Sequence, residues 1–500
     1  MNPENNHTVG TAGKNVLYIS VLLTLLFVVW GAAFPANLDL VAGNALNFLT
    51  TNFGWLYLSA VFMILLFIIG IAFSPYGKIK LGKDDEEPEF STTAWFAMLF
   101  TTGMGIGLVF WSIAEPITHF MNPPFGEPET AEAAELAMRY TFFHWGLHPW
   151  AVFALVGMAL AYFQFRKGMP ALISSVFQPI LGSKIHGPIG QAIDILAVFA
   201  TVFGLGTSLG LGTMQINTGL NLLYGIPDNN LVNILIIVAI TTVFTLAAVM
   251  GIEKGIKFIA NNTVRLALLI MFFLLLFGPT REIFNLLTST IGDYLQNLVA
   301  MSLWTDPITE GGWISGWTVF YWAWWIAWGP FVGQFIARIS RGRTIREFII
   351  GALIAPTVFS FIWLAIFGGT ALNLDIFAGV GIGDAVRENV ASALFVTLGN
   401  FPLSSVMSFL AIVLIAAFFI TSADSGTFVV AMLTSGGDQE PTRKLKAAWG
   451  ILLGGVAAVL LVAGGLDALQ TASIASAFPF MLVMLVMCYS LVKGFSQDKE

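Results

Sequence analysis

The sequence predicts an all-α membrane protein, and two observations carry that prediction: its composition and its apolar runs. Hydrophobic residues make up 57% of the 500-residue chain and charged residues only 10%, whereas a soluble domain carries about 25% charged residues. Apolar runs recur along the chain, each close to the roughly 20 residues that cross a hydrocarbon core as an α-helix. A transmembrane β-barrel would instead have short segments of alternating polarity, which this sequence lacks.

Twelve of these runs are long enough to be transmembrane helices. They cover residues 16–34, 53–73, 92–113, 138–163, 191–223, 230–251, 258–279, 316–337, 347–372, 402–433, 447–464 and 472–492. The fifth and the tenth are long enough to be tilted or broken within the bilayer. We therefore expect twelve transmembrane helices.

The positive charges predict the orientation of the chain, because cytoplasmic loops are enriched in Lys and Arg. With a cytoplasmic N-terminus, 18 of the 22 Lys and Arg residues fall on the inside, three outside and one within a span. The inside residues are Lys14, Lys78, Lys80, Lys83, Arg166, Lys167, Lys184, Lys254, Lys257, Arg338, Arg341, Arg343, Arg346, Arg443, Lys444, Lys446, Lys493 and Lys499. Outside are Arg139, Arg281 and Arg387, and Arg265 lies in the seventh span. This predicts cytoplasmic termini and a location in the cell inner membrane.

The remaining composition narrows the class of protein further. A net charge of −7 argues against a nucleic-acid partner. Cys488 is the single cysteine, which excludes an intramolecular disulfide and a cysteine-based metal cluster. The first span lacks a small-residue cleavage site, so we expect it to be a retained helix.

The spans divide the chain into six parts, none of them a soluble domain. These are a cytoplasmic tail (1–15), two peripheral helices (16–91), a first repeat of five spans (92–279), an interfacial amphipathic helix and loop (280–315), a second repeat of five spans (316–492) and a short cytoplasmic tail (493–500). Two blocks with an odd number of helices run in opposite senses across the membrane. This division predicts a five-plus-five inverted repeat with two extra N-terminal helices.

The segment 280–300 between the two repeats is too polar to span, but its apolar residues recur at helical spacing. They are Ile283, Leu286, Leu287, Ile291, Leu295 and Leu298. This pattern predicts an amphipathic helix that lies in the membrane interface.

Both repeats begin with a span that contains helix-breaking residues. The first carries glycines at Gly103, Gly105 and Gly107, and the second carries Gly329-Pro330. Close packing of helices through small residues is one explanation. The matching positions favour the other, in which the helix is unwound and its free backbone groups face a ligand near the membrane midplane.

Aromatic residues are concentrated in the eighth span. Five tryptophans fall within twelve residues, at Trp317, Trp322, Trp324, Trp325 and Trp328, whereas an interfacial belt needs only one or two. The fourth span adds Trp145, Trp150 and Phe153. Aromatic packing in a membrane core is the alternative explanation. Cages of aromatic rings, however, bind quaternary ammonium groups, and a cage without carboxylates suits a zwitterion that carries its own anion.

Four strings resemble the betaine/choline/carnitine transporter family: "GMGIGLVFWSIAEP", "FHWGLHPW", "FYWAWWIAWGPFVGQFIARISRGRTIREF" and "TSADSG". The resemblance covers essentially all twelve spans. It implies a leucine-transporter-like inverted repeat, alternating access, a small zwitterionic substrate of the glycine betaine type, contact with membrane lipid and a homotrimer.

The resemblance also implies the substrate site. Its cage would consist of Trp145, Trp150, Phe153 and Trp325, where position 153 is commonly Tyr in the family. Trp324 and Trp328 would line the pathway, with Phe335 towards the cytoplasm. The glycine stretch, Met104, Gly105 and Gly107, would contribute backbone groups.

Sodium is the coupling ion that the resemblance implies. Backbone carbonyls of Thr101, Met104 and Phe418 and the hydroxyls of Thr421 and Ser422 would bind it, and such uncharged oxygen donors suit Na⁺. Taken alone, those two hydroxyls would be expected to bond back to their own helix. A second sodium site would use Thr201 and Phe331, but its other hydroxyl position is Leu205.

Four other polar residues within the spans admit more than one interpretation. We expect Glu115, which precedes Pro116 near the outer helix end, to be structural. Asp424 is either a structural hydrogen-bonding group or a proton relay. His144 and His148 are spaced like a metal pair, but no third ligand is evident.

Secondary transport fits these features better than the other function classes. A channel would need filter-like loops or rings of charge, an intramembrane enzyme would need a nucleophile and base or a metal set, and an ATP-driven pump would need a Walker A motif. The alternatives within transport are sodium-independent or proton-coupled transport of choline- or carnitine-type compounds, or transport of ectoine. Choline-transporting relatives tend to have Asp where this sequence has Gly107, and sodium-independent relatives have a fixed positive group that Arg265 could supply. Alternatively, Arg265 extends its charged end towards the cytoplasm.

Overall fold

A computed structural model describes residues 11–102, 105–250, 253–308 and 312–498. Within these ranges the regular structure is helical, and the single β-bridge joins Lys80 to Thr344. The all-α prediction is therefore confirmed for the described part of the chain.

The helices of the first half follow the predicted spans, with two peripheral helices first and the amphipathic helix last. They are α1 (Thr11–Ala33), α2 (Pro35–Phe73), α3 (Thr92–Thr102), α4 (Ile106–Met121), α5 (Ala131–Trp145), α6 (Leu147–Ala161), α7 (Gln178–Leu181), α8 (Pro188–Tyr224), α9 (Asn230–Met250), α10 (Glu253–Phe277) and α11 (Thr280–Leu303). Helix α2 begins far before the predicted residue 53, with Pro35 in the first helical turn, where its missing N–H costs no hydrogen bond.

The helices of the second half include three that are longer than 30 residues. They are α12 (Phe320–Ile339), α13 (Ile345–Ala378), α14 (Ile382–Glu388), α15 (Ala393–Leu398), α16 (Ser404–Thr434) and α17 (Arg443–Gln497). Helix α17 contains the last two predicted spans, which meet at non-helical backbone at Gly464 and Gly465. Gly465 has a positive φ of 58°, which glycine adopts without strain.

Each of the twelve predicted spans coincides with a helix or a pair of helices. Among the described residues, nine helical stretches are long and apolar enough by themselves to cross a membrane. The count is lower than twelve partly because α17 holds two predicted spans and α3 and α4 divide another. The chain is a multi-pass membrane protein, and the number twelve and the inverted repeat stay predictions.

The predicted break in the third span is present, whereas the one in the eighth span is wrong. Gly105 has extended backbone (φ −167°, ψ 179°) directly before α4 begins at Ile106. By contrast, α12 runs through Gly329 and Pro330 without a break. Proline removes one N–H and strains one turn, and a membrane helix tolerates this when its neighbours accommodate the kink.

A helix break that the sequence did not predict lies in the fourth span at Gly146, between α5 and α6. A Cβ at Gly146 would lie 2.6 Å from the Phe142 carbonyl oxygen and 2.8 Å from the Tyr294 hydroxyl. The Leu147 N–H donates to the same hydroxyl (3.1 Å). Tyr294 of α11 therefore satisfies the backbone where the span breaks.

The predicted amphipathic helix is present as α11, and its apolar side packs on the core. Ile283 is buried, and Leu286, Leu287, Ile291 and Leu298 pack against the core, whereas Leu295 is 58% exposed. An ion pair between Arg139 of α5 and Asp293 (2.9 Å) also ties α11 to the fourth span.

Charged loops meet at one end of the molecule, the end that the sequence predicts to be cytoplasmic. The loop after α2 pairs with the loop before α13 through backbone bonds from Leu81 to Arg343 and from Gly342 to Leu81. Ion pairs join Arg338 to Glu89 (2.6 Å) and Arg341 to Glu86 (2.5 Å). These contacts hold the loop against the end of α12.

Candidate functional site

The structure gathers the predicted cage residues around one small cavity. Trp145 ends α5, Trp150 and Phe153 lie one turn apart on α6, and Trp325 and Trp328 face them from α12. All five line the cavity together with Pro149, Val332 and Ser360. Its volume is about 40 Å³, room for roughly three water molecules.

Trp325 is the central ring of this cage. Its ring lies 4.9 Å from that of Trp145 at 74° and 6.0 Å from that of Phe153 at 85°. It also stacks on Trp324 at 4.9 Å and 16°. Edge-to-face and stacked pairs at these distances are favourable, so the rings hold one another in place. Among the residues that the structure describes, none that lines the cavity carries a carboxylate.

Trp324 lies behind the cage and packs against the backbone of α4. A Cβ at Gly107 would approach the Trp324 ring to 2.2 Å, so the close contact requires glycine at this position. The Trp324 indole N–H is buried and has no partner among the described residues. Gly105 faces open space, whereas Met104 and Gly103 lie outside the described residues.

Glu115 anchors the cage from behind. This fully buried residue lies inside α4, six residues before its end. Its Oε2 accepts hydrogen bonds from the Trp145 indole N–H (2.8 Å) and the Tyr321 hydroxyl (2.5 Å). Its Oε1 accepts from His144 Nδ1 (2.7 Å) and His119 Nε2 (3.2 Å).

His144 connects this carboxylate to the other side of the cage. Its backbone carbonyl accepts the Trp325 indole N–H (2.9 Å), directly before the helix break at Gly146. Its Nε2 lies 3.0 Å from the Thr318 hydroxyl, which donates to it when Nδ1 carries the proton.

The two histidines predicted as a possible metal pair do not share a site. His148 Nε2 bonds the Ser302 hydroxyl (2.8 Å) and its ring stacks on Trp322. His144 instead joins Glu115 and His119, and one ligand atom from each of the three lies within 4.8 Å of the others. His144 and His148 thus have separate partners, and the group of possible metal ligands among the described residues includes His144 but not His148.

A much larger cavity of about 660 Å³, the vestibule, lies next to the cage. Phe331, Val332, Gln334, Phe335 and Arg338 line it from α12. Phe418, Thr421, Ser422, Asp424, Ser425, Phe428, Val429 and Met432 line it from α16, and its other lining residues are Gln164, Ala260, Thr263, Val264, Gln439 and Lys446. Val332 also lines the cage cavity. The vestibule reaches the end of the molecule that carries Arg338 and Lys446.

The predicted sodium residues of α16 lie in the vestibule wall. The Thr421 hydroxyl donates to the carbonyl oxygens of Ala417 (2.9 Å) and Phe418 (3.2 Å), so two of the predicted ligands are adjacent. This is the bond back to the helix that the sequence alone leads one to expect. Of the other two predicted ligands, Thr101 lies in α3 and Met104 lies outside the described residues. The structure therefore does not show whether the predicted ligands meet at one site.

The second predicted sodium site has fewer candidate oxygen ligands than the first, because Leu205 stands at one of its hydroxyl positions. The Thr201 hydroxyl is buried and donates to the Ala197 carbonyl (2.8 Å), whereas Phe331 lines the vestibule. Leu205 fills the space next to Gly426, where a Cβ would lie 2.3 Å from it. The leucine side chain is thus firmly packed where a hydroxyl would be needed.

Arg265 is exposed on α10 and its guanidinium lies 3.4 Å from the Asn262 side-chain oxygen. Its neighbours Thr263 and Val264 line the vestibule, but Arg265 does not. Arg265 therefore lies outside the vestibule wall, and its extension towards the cytoplasm stays a prediction.

Sequence reasoning missed the roles of Gly146 and of Glu115 as the centre of a hydrogen-bond network. For Gly146, the signal was a glycine three residues before Pro149 inside an apolar run, a combination that marks a possible helix break. For the second the only signal was a carboxyl group inside a span.

Comparison with known proteins shows the family to which this chain is similar. The family described as BCCT, betaine/carnitine/choline family transporter, matches residues 15–500. The chain is 57% identical to a "Probable glycine betaine transporter" of Desulfitobacterium hafniense (strain Y51) over 97% of this chain and 98% of that protein. It is 51% identical to the glycine betaine transporter OpuD of Bacillus subtilis (strain 168), over 97% and 95%. It is 43% identical to an ectoine/hydroxyectoine transporter of Virgibacillus pantothenticus, over 98% and 99%.

Proposed function

We propose a function from the premise that this chain belongs to the betaine/carnitine/choline transporter family, whose description matches residues 15–500. It is a transporter of small compatible solutes and not an enzyme. Within that class, we propose sodium-coupled import of glycine betaine by alternating access across the cell inner membrane.

The observation that carries this proposal is the cage of Trp145, Trp150, Phe153 and Trp325 around one cavity. Faces of aromatic rings attract a quaternary ammonium, which cannot lose its charge. The substrate carboxylate needs hydrogen-bond donors or the coupling ion. Backbone N–H groups at the start of α4, next to the extended Gly105, are suitable donors.

Two features support a betaine-type substrate over choline. Choline carries no carboxylate, so a buried countercharge would have to balance it, and neither Gly107 nor the cavity lining supplies one at the ligand's surface. Ectoine remains a second candidate, because a relative 43% identical is named an ectoine/hydroxyectoine transporter.

Sodium coupling is supported by the adjacent oxygens of Thr421 and Phe418 in the vestibule wall. Hydroxyl and carbonyl oxygens are hard donors that suit a small alkali cation. Arg265 is exposed and does not line the vestibule, so it is not the fixed positive group that sodium-independent transport would use. We infer one sodium site of this kind and assign no function to Thr201 and Leu205.

The experiment is uptake of labelled glycine betaine into proteoliposomes that contain the purified protein and no ATP. An inward sodium gradient should drive accumulation, and replacing external Na⁺ by K⁺ should abolish it. Thr421→Ala and Ser422→Ala should raise the sodium concentration needed for half-maximal uptake, whereas Ser425→Ala in the same vestibule wall should not. Accumulation that is unchanged in K⁺ would contradict the coupling.

The family resemblance also implies a homotrimer, and this too is a proposal. Light scattering of the detergent-solubilised protein, with detergent mass subtracted, should give three times the 54.1 kDa chain mass. A monomer mass at the same protein concentration would reject it.

A further inference from the structure

We propose that Glu115 is a positioning residue for the aromatic cage and that its negative charge, held behind the Trp145 ring, strengthens the attraction of the cage for a quaternary ammonium. This inference rests on the proposed function, since it concerns how the same site recognises its substrate. It assigns a role in recognition to a carboxylate that touches no ligand.

Four hydrogen-bonding groups surround Glu115, and an ionised carboxylate satisfies all of them at once. The indole N–H can only donate, the Tyr321 hydroxyl donates to Glu115, and each imidazole nitrogen donates in the tautomer that carries its proton there. A carboxylate offers about four acceptor positions, and here each is used within a site without solvent contact. A neutral carboxyl or amide would have to turn a donor of its own towards one of these groups.

The network reaches two opposing rings of the cage. Trp145 donates to Glu115 directly, and Trp325 donates to the carbonyl of His144, whose imidazole also donates to Glu115. The Tyr321 ring stacks near Trp325, with centroids 5.9 Å apart and planes at 28°. Both indoles are thus held by bonds at their N–H edges, and both rings line the cavity.

The charge adds to this orientation. An indole that donates to an anion gains electron density on its ring, and hydrogen-bonded groups polarise one another in this way. The attraction of the ring face for a cation grows accordingly. Charge interactions are also stronger in a buried, low-dielectric region than in water, so a carboxylate one ring away from the ammonium contributes although it makes no contact.

A metal ion is the alternative occupant of Glu115, His119 and His144. The separation of 2.7 Å between Glu115 Oε1 and His144 Nδ1 is a hydrogen-bond distance. Two ligands about 2.0–2.2 Å from a tetrahedral zinc ion lie further apart than this. The bond from His144 to Thr318 fits either arrangement, so metal content is part of the test.

The test compares two ligands of nearly the same shape in full-length protein. Glycine betaine carries the ammonium, and 3,3-dimethylbutanoate replaces its nitrogen by carbon and is only an anion. Glu115→Gln should weaken betaine binding, followed by tryptophan fluorescence, by about tenfold or more. It should leave competition by 3,3-dimethylbutanoate unchanged or stronger. A residue that only supports packing would weaken both ligands equally, and that result would overturn the role of the charge.

Two further variants keep the outcome interpretable. Glu115→Asp retains the charge, so both affinities should fall together and their ratio should stay as in the unmodified protein, even if Glu115→Gln does not fold. Asp194→Asn is the matched control, because this buried carboxyl bonds only the Ser174 N–H and hydroxyl (2.9 and 2.7 Å), which an amide can also satisfy. It should bind betaine normally.

The remaining outcomes separate this inference from the proposed function. Unmodified protein that does not bind betaine contradicts the proposed function itself. Normal betaine binding in Glu115→Gln overturns only the inference. The inference is also overturned if the purified unmodified protein contains one equivalent of zinc and the Glu115→Gln variant contains none.

Discussion

At the scale of single residues, the site depends on contacts that permit one side chain only. Trp325 contacts Trp145, Phe153 and Trp324 and donates its N–H to a backbone carbonyl. Gly107 leaves space for the Trp324 ring that any Cβ would occupy. The rings orient one another, which lowers the cost of ordering them on binding, but the cavity of about 40 Å³ must widen before it holds a ligand larger than a few water molecules.

Trp325→Leu should therefore cripple glycine betaine transport. A desolvated cation–π contact contributes about 2 kcal/mol, which corresponds to roughly a thirtyfold weaker affinity. Trp325→Phe keeps a ring face and should lose less. Initial rates of uptake across a range of betaine concentrations give KM for each variant. Near-normal affinity in Trp325→Leu would refute this view of the site.

Substitutions at Gly107 should separate steric from electrostatic effects. Both Gly107→Ala and Gly107→Asp place a Cβ 2.2 Å from Trp324, so both should lower betaine uptake by displacing that ring. Only Gly107→Asp adds an anion that can balance choline, so we expect choline uptake in that variant alone. Labelled choline and betaine are measured in parallel. Efficient choline uptake by the unmodified protein would contradict the assigned selectivity.

At the scale of helices, each apolar run of the sequence coincides with a helix or a pair of helices in the structure, because burial in lipid requires about 20 apolar residues in a row. The breaks were harder to predict, since a break depends on what the neighbouring helices offer to the freed backbone. Gly146 breaks the fourth span where Tyr294 of α11 supplies a hydroxyl. Pro330 does not break α12, although its sequence signal is stronger.

Gly146→Ala should destabilise the protein and lower transport. The new Cβ meets the Phe142 carbonyl and the Tyr294 hydroxyl within 3 Å, and such overpacking typically costs 1–3 kcal/mol. The thermal unfolding midpoint in detergent should fall. Gly70→Ala in α2, where nothing lies within 4 Å of the new Cβ, is the matched control and should be neutral or slightly stabilising. Equal midpoints for the two variants would show that the tight contact at Gly146 has no consequence.

At the scale of the whole molecule, the site is assembled from helices far apart in the sequence. Three of the four partners of Glu115 lie 29, 30 and 206 residues away in the chain, and only His119, four residues on, is local. The aromatic cage could be inferred from the sequence because its residues are unusual in number and in type. The hydrogen-bond network behind the cage could not be inferred from the sequence, because one carboxyl group and two histidines within apolar runs are compatible with many arrangements.

The ion pairs at the predicted cytoplasmic end should make the thermal stability of the protein fall as the pH becomes acidic. The hydrogen bond from Arg338 holds the pKa of the Glu89 carboxyl below its ordinary value of 4.5, although partial burial opposes this. A depressed pKa contributes stability above the unfolded value that is lost as the pH falls through the folded value. The thermal midpoint should therefore drop below pH 4.5, and less so in Glu89→Gln. Glu440→Gln, on an exposed loop, should retain the full drop, and an unchanged pH profile in Glu89→Gln would contradict the assignment.

The vestibule should be accessible from the cytoplasm, because it reaches the end where Arg338 and Lys446 lie. Cys488 is the only cysteine, so Cys488→Ser provides a background for single cysteines. In that background, Phe335→Cys in the vestibule wall should react with a membrane-impermeant maleimide only in inside-out vesicles. Ile308→Cys, at a loop residue that is 88% exposed between α11 and α12, should react only in right-side-out vesicles. The opposite labelling pattern would reverse the orientation predicted from the positive charges. Labelling of Phe335→Cys from both sides would mean that the vestibule continues past the cage to the other side of the membrane.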